Sequence, residues 1–472
     1  LLWMPWYPWD LWSYATVCGD VPSTPMYKVN AAGCGKGKST HNKKFITAHK
    51  DTRFLVIVPS LALADEYADY GTTIHSGNSH NVKQQVYKAI EANTRVLVIT
   101  QKAFLDFESK TLLCTNRTVL QDEHLEPFYV CKWQMANHAQ WLDMFVVGAS
   151  DKEGWYKVTL NTARVAEFLA TADMLDNKQF MQDLLATPQA IYTNKATMEM
   201  DSLLFRVVSP DIYAGADAVH IACANFMVTR QYHLWAAIYG AQFHFTHAFE
   251  PYSTPNLTLH SAEQNRNSKT FNRANTGLKD TVTAYIKSQC ANPVYVDNNM
   301  YETEQGWQRV KHNCHGVNQF RDESHIAILS AINYDNLATA FLMDMGGMTA
   351  LQVRHALLGE IAHQVIMRGC LRSDNANACH VYVMEADLAN YLLNNIFKGS
   401  KQLPIDGTKR PERAPVLTPV QRKKATMIRK NFPLYQETPT ELLMKEIIWS
   451  MTNTNGLYNK LHRENSAGGA TA

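Results

Sequence analysis

The feature that most constrains this chain is the run Ala32-Gly33-Cys34-Gly35-Lys36-Gly37-Lys38-Ser39-Thr40, close to its start. A glycine-rich stretch ending in Gly-Lys-Ser wraps backbone N–H groups around phosphate oxygens. Such a loop needs a strand before it and a helix after it. Tyr27-Lys28-Val29-Asn30 reads as the strand, and the segment from Thr40 through Phe45 and Ile46 to Ala48 reads as the helix, its N-terminus facing the phosphates. Lys38 then reaches the β- and γ-phosphates, and the Ser39 hydroxyl holds Mg²⁺. The commonest form of the loop has Gly where this chain has Ala32. The shorter form, Ala-x-x-Gly-x-Gly-Lys-Ser, fits residue by residue. A basic, glycine-rich surface turn is the alternative.

The segments that follow alternate. Phe54-Leu55-Val56-Ile57-Val58-Pro59, Arg95-Val96-Leu97-Val98-Ile99-Thr100 and Thr118-Val119-Leu120-Gln121-Asp122 are short apolar runs of the kind buried on both faces of a sheet. Thr73-Ile74-His75 is a further strand, and 61–70 and 81–92 have helical spacing. Strands separated by helices imply βαβ units and a parallel sheet, hence an α/β fold. Residues 125–205 lose this rhythm and read as a mainly helical, polar insertion. The rhythm returns at 203–209 and 218–223, and a second α/β unit runs to about residue 400, with strands at Val294-Tyr295-Val296 and His380-Val381-Tyr382-Val383. The organisation expected is an arm over 1–26, a first domain over 27–245, a second over 246–400, and a basic linker with a C-terminal helix (440–451) over 401–472.

Asp122-Glu123 supplies a second phosphate-site element. A carboxylate at a strand's C-terminal end holds Mg²⁺, directly or through water. The neighbouring Glu123 can polarise an attacking water. Together with the loop upstream, the pair reads as a site for Mg²⁺ and a nucleoside triphosphate, ATP above others. Tyr27 is the residue placed to stack on the base.

Composition limits the partners. The 472 residues suffice for two or three domains. The net charge of +2 excludes a global basic field, so nucleic-acid binding must rest on local patches such as 409–430. No apolar run reaches the roughly 18 residues of a membrane span. Pro5, Pro8 and Asp10 break the apolar start, against a signal peptide. Nine cysteines, an odd number without a Cys-x-x-Cys, fit reduced thiols and a cytoplasmic location. His312, Cys314 and His315 cluster but have no partner pair at metal spacing and read as a strand end. Trp3, Trp6, Trp9 and Trp12, with Pro5 and Pro8 between, form a polyproline-like arm with one aromatic face. The arm reads first as a strap over the chain's own core, and second as a docking element for a protein partner.

The order of these motifs resembles the superfamily 2 helicases and translocases, DEAD/DEAH-like and of a divergent phage or viral type. Residues 32–40 resemble motif I. Val58-Pro59-Ser60 with Leu63-Ala64-Asp65-Glu66 resembles motif Ia, and Val98-Ile99-Thr100-Gln101 the later strand-end motif. Asp122-Glu123-His124-Leu125 resembles motif II, with His third and Leu fourth where the family reads Asp-Glu-x-His or Asp-Glu-Ala-Asp. Ala222-Cys223-Ala224-Asn225 sits where motif III would be. Cys314-His315-Gly316-Val317-Asn318 resembles motif V. Gln364-Val365-Ile366-Met367-Arg368-Gly369-Cys370-Leu371-Arg372 resembles motif VI, with Met367 for its Gly and one extra residue before the second Arg.

The resemblance implies two tandem RecA-like domains of P-loop NTPase type, each a parallel sheet, with the helical insertion and a C-terminal extension. It implies ATP and Mg²⁺ between the lobes, with Lys38, Asp122, Glu123, Gln364, Arg368 and Arg372 as catalytic residues. Arg368 or Arg372, placed four apart on one helix face, would be the arginine finger, Arg372 by preference. Nucleic acid, DNA before RNA, would meet Ser60, Thr100, Gln101, Gly316 and Asn318. A terminase-like packaging motor and a non-catalytic nucleotide-binding docking module are the alternatives. The motor reading wants clustered carboxylates in the second half, where only scattered ones such as Asp335 and Asp344 or Asp322 and Glu323 occur.

Overall fold

The computed structural model describes residues 26–133, 139–171, 175–199, 201–264, 267–268, 276–298, 306–312, 319–372 and 378–408. The tryptophan arm, Gly316, Asn318, the basic segment and the C-terminal helix lie outside them, as does the side chain of Arg372.

Five strands come first: β1 (Met26–Asn30), β2 (Phe54–Val58), β3 (Thr72–Ile74), β4 (Val96–Thr100) and β5 (Thr118–Asp122). The chain then builds a separate sheet from β6 (Phe128–Lys132), β7 (Phe145–Ala149), β8 (Tyr156–Leu160), β9 (Gln189–Thr193) and β10 (Leu203–Val208). It returns for β11 (Ala218–Ala222) and β12 (Gln242–His247). The first sheet has the order β12-β1-β11-β5-β2-β4-β3 and every pairing in it is parallel. Its central strands are buried on both faces, which explains their unbroken apolar sequence. Leu55 and Ile57 of β2 join one core with Tyr27, Val29, Leu97 and Ile99; Phe54, Val56 and Val58 face the other with Val96, Val98 and Leu120.

The second sheet is made of β14 (Leu257–Ala262), β15 (Val294–Val296), β16 (Gln308–Arg309), β17 (His325–Ile328), β18 (Cys379–Val383) and β20 (Lys401–Ile405). Its order is β16-β15-β17-β18-β14-β20, again parallel throughout. A small parallel pair, β13 (Tyr252–Ser253) with β19 (Phe397–Lys398), stands beside it. Two α/β lobes with parallel sheets are therefore present, as tandem RecA-like domains require.

The insertion departs from expectation. It holds five antiparallel strands in the order β6-β10-β9-β8-β7, with two helices, Thr162–Thr171 and Leu175–Ala186. The helices cover one face through Phe168, Met181 and Leu184 against Trp133, Phe145 and Leu204. The other face packs on the Asn336–Asp344 helix of the second half. Phe341 of that helix lies between aromatic rings, near-parallel to Phe128 at 5.3 Å and Phe205 at 5.2 Å, and edge-on to Trp155 at 5.0 Å. Trp155 Nε1 donates to Asp344 Oδ2 at 2.9 Å. The insertion thus fastens the two lobes together on one side.

Candidate nucleotide site

Three adjacent strands of the first sheet end in register. Asn30 of β1 pairs with Ala222 of β11, and Ala222 pairs with Asp122 of β5. The glycine-rich loop, the 223–225 turn and the Asp122-Glu123 pair therefore emerge side by side, the usual place for a ligand at an open parallel sheet. Backbone bonds knit them together: Glu123 N–H donates to Ala222 O at 2.8 Å, Cys223 N–H to Asn30 O at 3.1 Å, and Asn225 N–H to Ala31 O at 3.2 Å.

The loop has the backbone its glycines permit. Gly35 and Gly37 have φ of 75° and 76°, in the left-handed region that favours glycine. Gly37 precedes α1 (Lys38–Ala48), whose N-terminus has no side-chain cap and no acidic residue in its first turn. Uncapped N–H groups at such an end suit an anion. Gly35, Lys36, Gly37 and Thr40 are exposed, Ala32, Cys34 and Ser39 half-buried, and Gly33 buried. Lys38 is 7% exposed and donates through Nζ to Ala32 O at 2.9 Å and Gly33 O at 3.0 Å, bracing the loop from within.

Asp122 lies beneath, 2% exposed. Its carboxyl hydrogen-bonds the Ser39 hydroxyl, and Tyr67 OH donates to its Oδ2 at 2.8 Å. Burial first, and then the charge of Glu123, push its pKa up to about 6. Ser39 and Asp122 together offer adjacent hard oxygens, a donor set that fits Mg²⁺. Glu123 follows with φ of 79°, an uncommon backbone for a side chain this size. Side chains hold that loop in place. Gln121 Nε2 donates to Glu123 O at 2.9 Å, Gln101 Nε2 to His124 O at 2.9 Å, and Leu125 N–H to Gln231 Oε1 at 2.7 Å.

The Glu360–Ile366 helix of the second lobe lies against this site. Cys34 Sγ is 3.5 Å from Gln364 Oε1, and Glu360 Oε1 is 3.2 Å from His124 Nδ1. Tyr252 OH lies 3.4 Å from Cys34 O and 3.2 Å from His363 Nε2. Burial, and then the charge of Lys38, lower the pKa of His363 to about 3, so its imidazole is neutral. A second link runs behind: Arg230 ion-pairs with Glu126 and donates to Ala356 O at 2.5 Å. Gln364 is 3% exposed, and its Nε2 has no hydrogen-bond partner among the described residues. A buried amide donor in that state calls for an acceptor, such as a phosphate oxygen or a water.

Some expected roles change. Tyr27 has no exposed surface and packs among Trp235, Phe243 and Tyr213, so its ring has no free face for a base. Arg368 and Arg372 do not share a helix face. The helix ends at Ile366, and Arg368 N–H and Gly369 N–H close tight turns on Val365 O and Ile366 O. Gly369 marks the break: a Cβ there would lie 2.5 Å from Ile326 Cδ1 and 2.9 Å from Glu323 O. Arg368 is half-buried, and Arg372 begins no helix but closes a 3₁₀ turn, Cys370–Arg372. The Ser60 and Thr100 hydroxyls cap the helices that follow their strands, accepting from Leu63 N–H and Ala103 N–H, each at 3.2 Å. Gln101 is spent on the Glu123-His124 loop rather than held open. Asp335 caps the Asn336–Asp344 helix and Asp344 accepts from Trp155, so these two carboxylates serve the fold.

Tyr67, Tyr252, Gln231 and His363 were not singled out in the sequence. Only His363 carried a signal, as the residue before Gln364.

No helix among the described residues is long and apolar enough to cross a membrane. No family model matches the chain, and no curated protein matches it. Among solved structures it is similar to the crystal structure of T4 UvsW, with 9% identity over 80% of this chain and 74% of that one, at a TM-score of 0.19.

Proposed function

We propose that this chain is an ATP-dependent nucleic-acid helicase or translocase that hydrolyses ATP in the cleft between its two lobes to move along or unwind DNA, with RNA as the second substrate class. One observation carries this reading. The loop around Lys38, the Ser39–Asp122 pair and Glu123 of the first lobe adjoin Gln364 of the second, whose buried Nε2 has no hydrogen-bond acceptor among the described residues. A nucleotide phosphate chain supplies that acceptor, so its presence or absence would be felt by both lobes.

In this reading the loop's N–H groups and Lys38 hold the phosphates. Ser39 and Asp122 would hold Mg²⁺, which neutralises charge on the phosphates when bound. Glu123 orients the attacking water and accepts its proton. Gln364 contacts the γ-phosphate or that water. Arg368 or Arg372 stabilises charge developing on the transferred phosphoryl group. Nucleic acid would cross the strand-end loops near Ser60 and Thr100, meeting backbone N–H groups, since both hydroxyls are used as caps.

Hydrolysis of ATP by the full chain, measured alone and with single-stranded DNA, single-stranded RNA or duplex DNA, tests this. Stimulation by DNA is the expected result, and no hydrolysis in any mixture would sink the motor. Lys38→Ala should lower turnover to background while circular dichroism stays unchanged, because the lost hydrogen bonds go to two carbonyls of the loop and to no strand of the sheet. Undiminished turnover in that variant removes the site.

A further inference from the structure

Cys223 is the least expected side chain beside the nucleotide site. It is 1% exposed and directly follows β11, where its N–H bond to Asn30 O fixes it next to the root of the phosphate loop. Its thiol makes a long contact, 3.5 Å, to Ala224 O and hydrogen-bonds the backbone of His124. A ligand atom of Cys223, one of His124 and one of Glu123 all lie within 4.8 Å of one another. A tetrahedral zinc ion, with bonds of about 2.0–2.3 Å, separates its ligand atoms by about 3.3–3.8 Å. Small side-chain adjustments close the difference. The Glu360 carboxylate, 3.2 Å from His124 Nδ1, is where an orienting carboxylate for a metal-bound imidazole belongs.

We propose that Cys223, His124 and Glu123 form a binding site for a thiophilic divalent cation, zinc above all, next to the hard-oxygen pair Ser39–Asp122. Thiolate and imidazole select zinc and cobalt over magnesium, so the two sites sort cations by ligand softness. Binding releases the thiol proton to solvent and forms bonds from Sγ, one imidazole nitrogen and one carboxylate oxygen to the ion. Glu123 is then a ligand and is withdrawn from orienting water. This inhibitory consequence rests on the proposed hydrolysis; the binding itself does not.

The test begins with Co²⁺ alone, titrated into the reduced full chain. One equivalent should give thiolate-to-cobalt charge-transfer absorption and the intense visible bands of four-coordinate cobalt, and Zn²⁺ should abolish both. Cys223→Ser, nearly isosteric and checked by circular dichroism, should lose the charge-transfer band, while Cys34→Ser should keep it. Glu360→Gln should weaken Co²⁺ binding by about tenfold or more. Absence of the band in the unmodified chain, or its survival in Cys223→Ser, overturns the site. In hydrolysis assays, Zn²⁺ far below the Mg²⁺ concentration should stop turnover, and Cys223→Ser should need about tenfold more. Cobalt binding without any hydrolysis would leave the site standing and remove the proposed function. Hydrolysis indifferent to Zn²⁺ in a chain that binds it would overturn the inhibitory role.

Discussion

Asp122 shows how one buried carboxyl would tie the proposed ion binding to pH. Burial and the charge of Glu123 raise its pKa from 3.8 to about 6. Without ligand, the folded chain therefore binds a proton here more tightly than the unfolded chain does. That contribution to stability is fully present below pH 3.8 and is lost as pH rises through about 6. A cation at Ser39 and Asp122 competes with the same proton. Affinity for Mg²⁺-nucleotide should then fall as pH drops through about 6, by up to about tenfold for each unit below it. Binding of a fluorescent ATP analogue at several pH values, with Mg²⁺ in fixed excess, measures this. An affinity flat between pH 5 and 7.5 would show that Asp122 is not a ligand. Tyr67 is part of the effect, since its hydroxyl donates to Asp122 and favours the carboxylate. Nothing near residue 122 in the sequence pointed to that donor, 55 positions away.

At the scale of elements, the Glu360–Ile366 helix and the β13 segment decide how the second lobe meets the loop. Gly33 is the contact point. A Cβ there would stand 2.3 Å from Tyr252 Oη and 2.7 Å from its Cζ, closer than atoms pack. Gly33→Ala should push the Tyr252 ring away and weaken ATP binding, even though the loop's own left-handed glycines, 35 and 37, are untouched. Tyr252→Ala in the same chain should return most of that loss, because the obstacle is the ring. Equal defects in the single and double variants, read by nucleotide titration, would place the fault in the loop itself. The elements differ in how visible they were beforehand. β2, β4 and β5 read directly from sequence because both faces are buried, leaving runs such as Leu55-Val56-Ile57 without a polar break. β7 and β8 did not, since each exposes much of one face and carries residues such as Gly148, Lys157 and Thr159. The Thr162–Thr171 and Leu175–Ala186 helices between β8 and β9 then set the helical impression of the whole stretch. At the site, the placement of Lys38, Ser39 and Asp122 was legible because a glycine-rich loop and a strand-end carboxylate are local patterns. The true end of the Glu360–Ile366 helix was not, since it depends on Gly369 passing close to Ile326 of β17, a contact absent from any local pattern.

At the scale of the whole molecule, buried and half-buried histidines among the described residues set the response to acid. His260 of β14 is 2% exposed and lies against His380 of β18, with Nε2 to Nδ1 at 3.0 Å; its Nδ1 meets Tyr285 OH at 2.9 Å. Tyr382 stacks on it at 4.8 Å, and His325 of β17 stacks on His380, also at 4.8 Å. Burial first, then His380 and His325, lower the pKa of His260 to about 4. His220 and His355 are lowered to about 4 in the same way, and His233, His325 and His363 are lowered too, each chiefly by burial. Unfolding exposes these rings, which then take up protons near pH 6.5. The unfolded chain thus binds more protons between about pH 4 and 6.5, and stability must fall as pH drops through that window. Asp122, Glu360 and Glu385 pull the other way, since burial raises all three, but among the described residues they are fewer than the six histidines. Urea unfolding of the full chain should therefore show stability decreasing from pH 7 to 4.5. The slope isolates the cluster. His260→Gln keeps a polar side chain between Tyr285 and His380, and should reduce proton uptake on unfolding at pH 5 by about one proton. An unchanged slope in that variant would mean that His260 is already protonated in the native sheet, which its place between Tyr285, His380 and Tyr382 argues against.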